Sequence, residues 1–251
     1  IEHDSRRVKP GALFFALRGF TSDGNAFVPD AARKGAAAVV TDNSELAGCG
    51  VPVVLVPDAR KAMALAADRF YGSPQNSLVM TAVTGTNGKT TTTYMVKSIF
   101  DAGGFSCGLV GTIRHIVGGE TVQSANTTPE ATDLHAFFAR MAEKGQSACV
   151  MEVSSHSLAL SRVYGIRFRA AAFTNLTRDH LDFHGDFKAY LDAKSILFSS
   201  LSGDSTAVVN ADDQAAGHIM SVSRGSNILT FGFEGERSIK PTVMELGADG
   251  S

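Results

Sequence analysis

Residues 79–96 read VMTAVTGTNGKTTTTYMV. The common phosphate-binding loop is spelled G-x-x-x-x-G-K-[ST]. Counting back from Gly88-Lys89-Thr90, the position of its first glycine holds Val83, and a glycine comes two residues later, at Gly85. The context favours a variant loop. Ser77 to Thr84 is apolar and β-prone, as a buried parallel strand would be. Gly85 and Gly88 permit backbone geometries barred to other residues. Thr90 to Phe100 has helical spacing, with Met95, Val96 and Ile99 able to share a face. Strand, glycine turn and helix start aim backbone N–H groups at a phosphate. Lys89 would reach the outer phosphates as a point charge, and the Thr90 hydroxyl would offer Mg²⁺ an oxygen. The plain alternative is a glycine turn with a surface lysine. A Lys-Thr pair directly after glycine at a helix start weighs against it.

Working outward, the chain reads as two α/β domains, residues 1–77 and 78–251. In the first, ALFFAL (12–17), AAVVT (37–41) and VPVVLV (51–56) read as strands. Helices are expected near 26–35 and from Asp58, a candidate N-cap, to Tyr71. YGSPQNS (71–77) has linker chemistry, since glycine ends a helix and Ser-Pro blocks its continuation. In the second, SACVMEVS (147–154), RAAAFTNL (169–176), STAVVNADD (205–213) and NILTFGFEG (227–235) read as strands. Alternating strands and helices give a parallel or mostly parallel sheet. The chain opens mid-pattern at IEHDSRR and stops at MELGADGS, in what reads as the middle of a domain. A fragment is therefore expected.

Composition narrows the class. The chain has 251 residues, 44% of them apolar, enough for one large or two ordinary domains. A formal net charge of −2 argues against a nucleic-acid-coating protein. No apolar run reaches the ~20 residues of a membrane span. The three cysteines, Cys49, Cys107 and Cys149, are widely spaced and fit reduced thiols in the cytoplasm better than a disulfide framework.

Ligands in open α/β sheets bind at the carboxyl ends of strands. Glu152 closes one apolar strand and, with Thr90, could complete a Mg²⁺ shell. Its alternative is a helix-capping carboxylate. TNLTRDHLDFHG (174–185) follows another strand and carries Asp179, His180, Asp182 and His184. A zinc pair of His180 and His184 lacks a third ligand at recognisable spacing, so a single histidine beside a nucleotide–Mg²⁺ site is the better reading. In DFKAYLDAKSILFSSL (186–201), apolar residues at 187, 190, 191, 197, 198 and 201 form one helical stripe, and Lys194 lies on it. Such a lysine must snorkel, find a partner or lose its charge. Carbamylation by CO₂ is one outcome, which pattern alone does not select.

These segments together resemble the Mur ligase family, in its UDP-N-acetylmuramoyl-tripeptide synthetase (MurE) type. TGTNGKTT is that family's loop spelling. DSRRVKPGALFFALRGFTSDG (4–24) looks like its uridine-nucleotide segment, and ANTTPE (125–130), EVSSHSLALSRV (152–163), TNLTRDHLDFHG and DAKSILF (192–198) are similar to further family motifs. The resemblance covers nearly the whole chain. It implies a small N-terminal α/β domain binding the UDP-substrate and an incomplete P-loop-type ATP-binding domain, with a C-terminal ligase domain absent. His3, Ser5 and the turn of Phe20, Thr21 and Ser22 would hold the uridine diphosphate. Asn126, Thr127, Thr128, Ser154 and Arg162 would contact the muramoyl-dipeptide. Gly85, Thr86, Asn87, Gly88, Lys89, Thr90 and Thr91 would cradle ATP. Thr90, Glu152, His180 and a carbamylated Lys194 would organise Mg²⁺, with Lys89, His180 and Lys194 serving catalysis. Some members carry Gln where this chain has Leu160, which puts one substrate hydrogen bond in doubt.

The implied reaction is ATP-dependent phosphorylation of the D-glutamyl carboxylate of UDP-N-acetylmuramoyl-L-alanyl-D-glutamate, then attack by the amine of diaminopimelate or lysine, in peptidoglycan synthesis. A cytoplasmic monomer is expected, with no nucleic-acid or membrane partner, and the fragment alone is expected not to turn over. The alternatives are a module that binds UDP-substrate and ATP without turnover, and a P-loop kinase or NTPase. Folate-type synthetases share the loop but lack the DSRRVKPG segment.

Overall fold

A computed structural model describes residues 1–19, 22–46, 49–235 and 237–242. A 3₁₀ turn at Ser5–Arg7, held by the Asp4 carboxylate on the Arg6 amide (2.9 Å), leads into β1 (Leu13–Phe15). Then come α1 (Val28–Arg33), β2 (Ala38–Thr41), β3 (Val53–Leu55) and α2 (Ala59–Phe70). The expected cap is present, with Asp58 Oδ1 accepting from the Lys61 amide at 2.9 Å. The strands form a parallel sheet in the order β1-β2-β3. Phe14 and Phe15 point to opposite faces, as strand period requires. Phe14 packs with Val28 and Ala31 of α1, and Phe15 with Met63 and Ala64 of α2.

Beyond the linker run β4 (Val79–Thr84), α3 (Lys89–Ala102), β5 (Cys107–Val110), β6 (Arg114–Val117), β7 (Glu120–Gln123), α4 (Ala131–Glu143), β8 (Ala148–Glu152), α5 (Ser155–Ala159), β9 (Ala170–Phe173), α6 (Leu181–His184), α7 (Phe187–Ser199), β10 (Thr206–Asn210), α8 (Ala216–Val222) and β11 (Asn227–Phe231). A second sheet has the order β11-β10-β9-β4-β8-β5-β6-β7, antiparallel only at β5–β6 and β6–β7. The phosphate-loop strand β4 is central, between β8 and β9. The loops after these three strands therefore leave from one edge of the sheet.

The chain forms two compact units with separate sheets. The first is not contiguous. Besides Ile1–Asn76 it takes in Pro129–Arg140 and Leu160–Ile166, which the sequence reading left in the second domain. Local chemistry accounts for this. Ala131 packs into the Phe15–Val40–Met63 cluster, His135 Nδ1 stands 3.5 Å from Asp68, and Gln75 donates to the Gly165 carbonyl at 3.2 Å.

The face of α3 also differs from expectation. Tyr94, Val96 and Phe100 pack against Val83, Leu109 and Val150, whereas Met95 and Ile99 are 61% and 71% exposed. We expect Leu109→Ala, which opens a cavity in that cluster, to destabilise the fold by about 2–5 kcal/mol. Ile99→Ala should cost no more than about 0.5 kcal/mol. Urea titrations of both variants check the pair, and equal losses would mean that α3 is rotated from the face described.

Candidate functional site

The loop after β4 is shaped by what presses on it. Gly85 has φ 147° and Gly88 φ 83°. A Cβ on Gly85 would lie 2.0 Å from Thr174 Oγ1 and 3.0 Å from the Asn175 carbonyl oxygen. Val83, where the common spelling has glycine, is buried in β4 against Leu109 and Val150. The glycine thus falls where the chain meets the segment after β9, and the earlier position keeps a core side chain.

Gly85 to Thr91 line a cavity of ≈ 340 Å³ together with Thr112, Thr127, Glu152, Ser154, Ser155, His180, Tyr190 and Lys194. Lys89, at the start of α3, donates to the carbonyls of Gly85 (3.0 Å) and Thr86 (2.8 Å). Burial lowers the Lys89 pKa, against the attraction of Glu152 and Asp179. Lys194 is 1% exposed and does not snorkel. Its Nζ donates to the Gly85 carbonyl at 3.0 Å and stands 4.5 Å from the centre of the Tyr190 ring. Burial, reinforced by the Lys89 charge and opposed by Asp179, brings its pKa down to about 7. Asp186 caps α7 on the Ala189 amide (2.7 Å), and Tyr190, Lys194, Leu197 and Phe198 share its buried face.

Glu152, fully buried at the end of β8, caps no helix. Its Oε2 accepts from the hydroxyls of Thr90 and Thr112 (3.0 Å each), and its Oε1 from the Thr112 amide (2.9 Å). Gly111 makes room for it, since a Cβ there would lie 2.6 Å from Oε1. Thr112 Oγ1 reaches Thr127 Oγ1 at 3.0 Å. Thr128 Oγ1 donates to the Glu152 carbonyl (2.8 Å) and accepts from the Ser154 amide (3.2 Å).

His180 is the left-handed residue before α6, with φ 50°. Its ring packs edge-on to His156, centroids 4.8 Å apart, and its Nε2 is 3.4 Å from Asp179 Oδ2. The ring of His184 packs against both Tyr190 (centroids 5.2 Å) and His156 (5.6 Å). Among the described residues no group of three or more His, Cys, Asp or Glu side chains could hold a metal ion. An oxygen set of Thr90 and Glu152 suits Mg²⁺, which takes its remaining ligands from phosphate and water.

Of the remaining expected residues, Asn126 is exposed in the second unit, its carbonyl accepting from Ser124 Oγ at 2.9 Å. His3, Ser5, Ser22 and Arg162 fall in the first unit. There His3 Nδ1 is 3.1 Å from Thr132 Oγ1, Ser5 is buried, and Arg162 pairs with Glu130 at 2.7 Å. Phe20 and Thr21 lie outside the described residues. Sequence reasoning missed Thr112, Thr174, Asn175 and Tyr190. The Gly-Thr and Thr-Asn pairs directly after strand-like runs were the available signals.

A glycine loop between a central parallel strand and a helix, with lysine and threonine at the helix start and a buried carboxylate on the next strand, defines a P-loop-type nucleotide-binding α/β protein. Two family descriptions match, "Mur ligase middle domain" over residues 83–251 and "Mur ligase family, catalytic domain" over 1–71. The chain belongs to the Mur ligase family. It is 43% identical over its whole length to the UDP-N-acetylmuramoyl-L-alanyl-D-glutamate--2,6-diaminopimelate ligase of Bacillus velezensis, covering 52% of that protein. It is 45% identical to the ligase of the same name from Caldanaerobacter subterraneus, over 92% of this chain and 48% of that one. A solved structure titled as a ligase of the same name superposes with a TM-score of 0.78 at 30% identity, over 91% of this chain and 47% of that one. A MurF ligase from Thermotoga maritima in complex with ADP (TM-score 0.59, 23% identity) shares the fold. The chain spans about half the length of the curated relatives it matches.

The low folded-state pKa of Lys194 has a measurable consequence. The unfolded lysine keeps its proton to about 10.5, the folded one to about 7. Between these values the unfolded state binds more protons, so stability rises with pH and is lost as pH falls towards about 7. We expect Lys194→Met to gain on wild type as pH drops from about 10 to about 7 and to keep a constant advantage below that. Urea midpoints across this range check it, and a difference independent of pH would mean that the amine keeps its ordinary pKa.

Proposed function

We propose that this chain forms the UDP-substrate- and ATP-binding part of a ligase that adds an amino acid, diaminopimelate or lysine, to UDP-N-acetylmuramoyl-L-alanyl-D-glutamate through an acyl phosphate. The observation that carries the proposal is the convergence of Lys89, Thr90, Glu152, His180 and Lys194 on one cavity at the ends of β4 and β8. The names of the relatives support the substrate. Their activity belongs to chains about twice the matched length, so for this chain the proposal is of binding and of phosphoryl-transfer machinery.

In this reading Gly85–Thr91 holds the ATP phosphates with backbone N–H groups at the start of α3. Lys89 exchanges its two carbonyl acceptors for phosphate oxygens and offsets the charge that builds as the terminal phosphoryl moves to the D-glutamyl carboxylate. ADP leaves, and the amine then displaces phosphate from the acyl phosphate to form the amide. Thr90 and Glu152 would hold Mg²⁺, with His180 and a carbamylated Lys194 beside it, and the ion would neutralise phosphate charge. A Lys194 amine with a pKa of about 7 is largely neutral at slightly alkaline pH, the form that reacts with CO₂. Its carbamate would present oxygens where the amine now meets Gly85. His3, Ser5, Phe20, Thr21 and Ser22 would bind the uridine diphosphate, and Asn126, Thr127, Thr128, Ser154 and Arg162 the peptide side. A cytoplasmic location fits this substrate, and no helix among the described residues is long and apolar enough to cross a membrane.

Calorimetry with UDP-N-acetylmuramoyl-L-alanyl-D-glutamate tests the substrate. Ser5→Ala and Thr128→Ala should each weaken binding by about five- to tenfold, the loss of a hydrogen bond worth about 1 kcal/mol or slightly more. Wild-type affinity in both variants would refute the assigned site. For Lys194, isotopically labelled bicarbonate should give a carbamate carbon resonance in wild type and none in Lys194→Ala. The same spectrum from both would move the modification elsewhere.

A further inference from the structure

Asn175 makes a two-sided side-chain contact to the phosphate loop. Its side-chain Oδ1 accepts from the Asn87 amide at 2.9 Å, and its Nδ2 donates to the Asn87 carbonyl at 3.2 Å. One carboxamide thus covers both polar groups of a single loop residue, as a neighbouring strand would. Its own carbonyl accepts from the Thr86 amide at 2.9 Å. Thr174 Oγ1 adds a second donor to the Asn87 carbonyl at 2.6 Å, and the Thr177 amide donates to Thr86 Oγ1 at 2.9 Å. The segment is anchored from behind, where Asn210 Nδ2 donates to the Thr174 carbonyl (2.7 Å) and Asp213 Oδ2 accepts from the Leu176 amide (2.8 Å).

We infer that Asn175 is a positioning residue for nucleotide binding, clamping the Thr86–Asn87 peptides so that the loop amides after them face the phosphates. The inference rests on the nucleotide reading of the cavity. Backbone capacity supports it. The Thr86 and Asn87 amides are already taken by Asn175. They are then unavailable to phosphate, which leaves those of Gly88, Lys89 and Thr90 at the helix start. Gly85 and Gly88 make this loop conformationally free in the absence of a clamp. Asn175 therefore acts before any ligand arrives, by removing loop conformations in which these amides diverge. An ionised carboxylate could not replace it, because it has no donor for the Asn87 carbonyl.

The test uses this chain, Asn175→Ala and Asn175→Asp, with ADP and Mg²⁺ in calorimetry and hydrogen exchange of the unliganded proteins. Asn175→Ala should weaken ADP about tenfold and speed exchange at the Asn87 amide, while β4 and α3 keep their protection. Asn175→Asp keeps the acceptor but not the donor, and sets a carboxylate against the Asn87 carbonyl. It should recover part of the Asn87 protection without recovering ADP affinity. This split separates positioning from a structural role, which would lower protection in β4 and α3 together with the loop. Such a general loss, or ADP affinity in Asn175→Ala equal to wild type, overturns the inference. Failure of wild type itself to bind ADP overturns the nucleotide reading, and the positioning role with it.

Discussion

The peptide of Gly85 is the point on which the second unit's site depends. Its φ of 147° is open to glycine and costly for other residues, and Thr174 and Asn175 leave no space for a Cβ. Its carbonyl accepts from both Lys89 and Lys194. One peptide therefore ties together the end of β4, the start of α3, the buried face of α7 and the segment after β9. A side chain at Gly85 would separate the loop from Thr174, turn the carbonyl away, leave the buried Lys194 amine without its carbonyl acceptor and leave Lys89 with only that of Thr86. The loss at Lys194 is the costliest, since a buried amine without an acceptor bears the full desolvation cost of its charge or gives up its proton.

Much of this was legible in the sequence, for identifiable reasons. β4, β8, β9 and β10 are short apolar runs bounded by turn residues, and strand–helix alternation allowed a mostly parallel sheet. Lys194 stood out because a charge at the centre of an apolar stripe conflicts with its own helix. What was not legible depends on residues far apart in sequence. The α3 face was misjudged because Met95 and Ile99 satisfy helical spacing as well as Val96 and Phe100 do, and only the position of β5 and β8 decides between them. The β6–β7 hairpin was passed over although Gly118-Gly119 is a hairpin-turn signal, because its strands are four residues each and β7 is mostly exposed. Thr112 and Asn175 could not be placed beside Glu152 and Asn87 without knowing that β5 neighbours β8 and β9 neighbours β4.

The division into two units shows the same limit. A Gly-Ser-Pro linker marks where one sheet stops and another begins, but it cannot report that a later helix returns to the first unit. Ala131 and His135 do so: Ala131 packs into the Phe15–Val40–Met63 cluster, and His135 Nδ1 is 3.5 Å from Asp68. The same Asp68 carboxylate accepts from Ser73 Oγ and Gln75 Nε2 in the linker itself. Asp68 thus holds the linker by hydrogen bonds while the returning helix packs beside it, a juxtaposition that the sequence gives no means of seeing.

Under the proposed nucleotide reading, the site's electrostatics let a chain of net charge −2 hold a polyanion. Lys89 and Lys194 converge on one carbonyl, and neither forms an ion pair with Glu152 among the described contacts. That carboxylate is occupied by Thr90 and Thr112. This occupation does not exclude a cation. A threonine hydroxyl has one proton to donate and two lone pairs to offer, so Thr90 can hold Glu152 with its hydrogen while facing a metal with its oxygen. The carboxylate then serves first as an orienting group for Thr90 and Thr112 and second as a source of negative charge for the ion. Its complete burial strengthens both effects, because no water competes for its oxygens. A cation arriving with phosphate would find the hydroxyl already turned and the two lysines positioned for the phosphate oxygens. In that proposed reading, the arrangement suits a charged pair of ligands rather than either one alone.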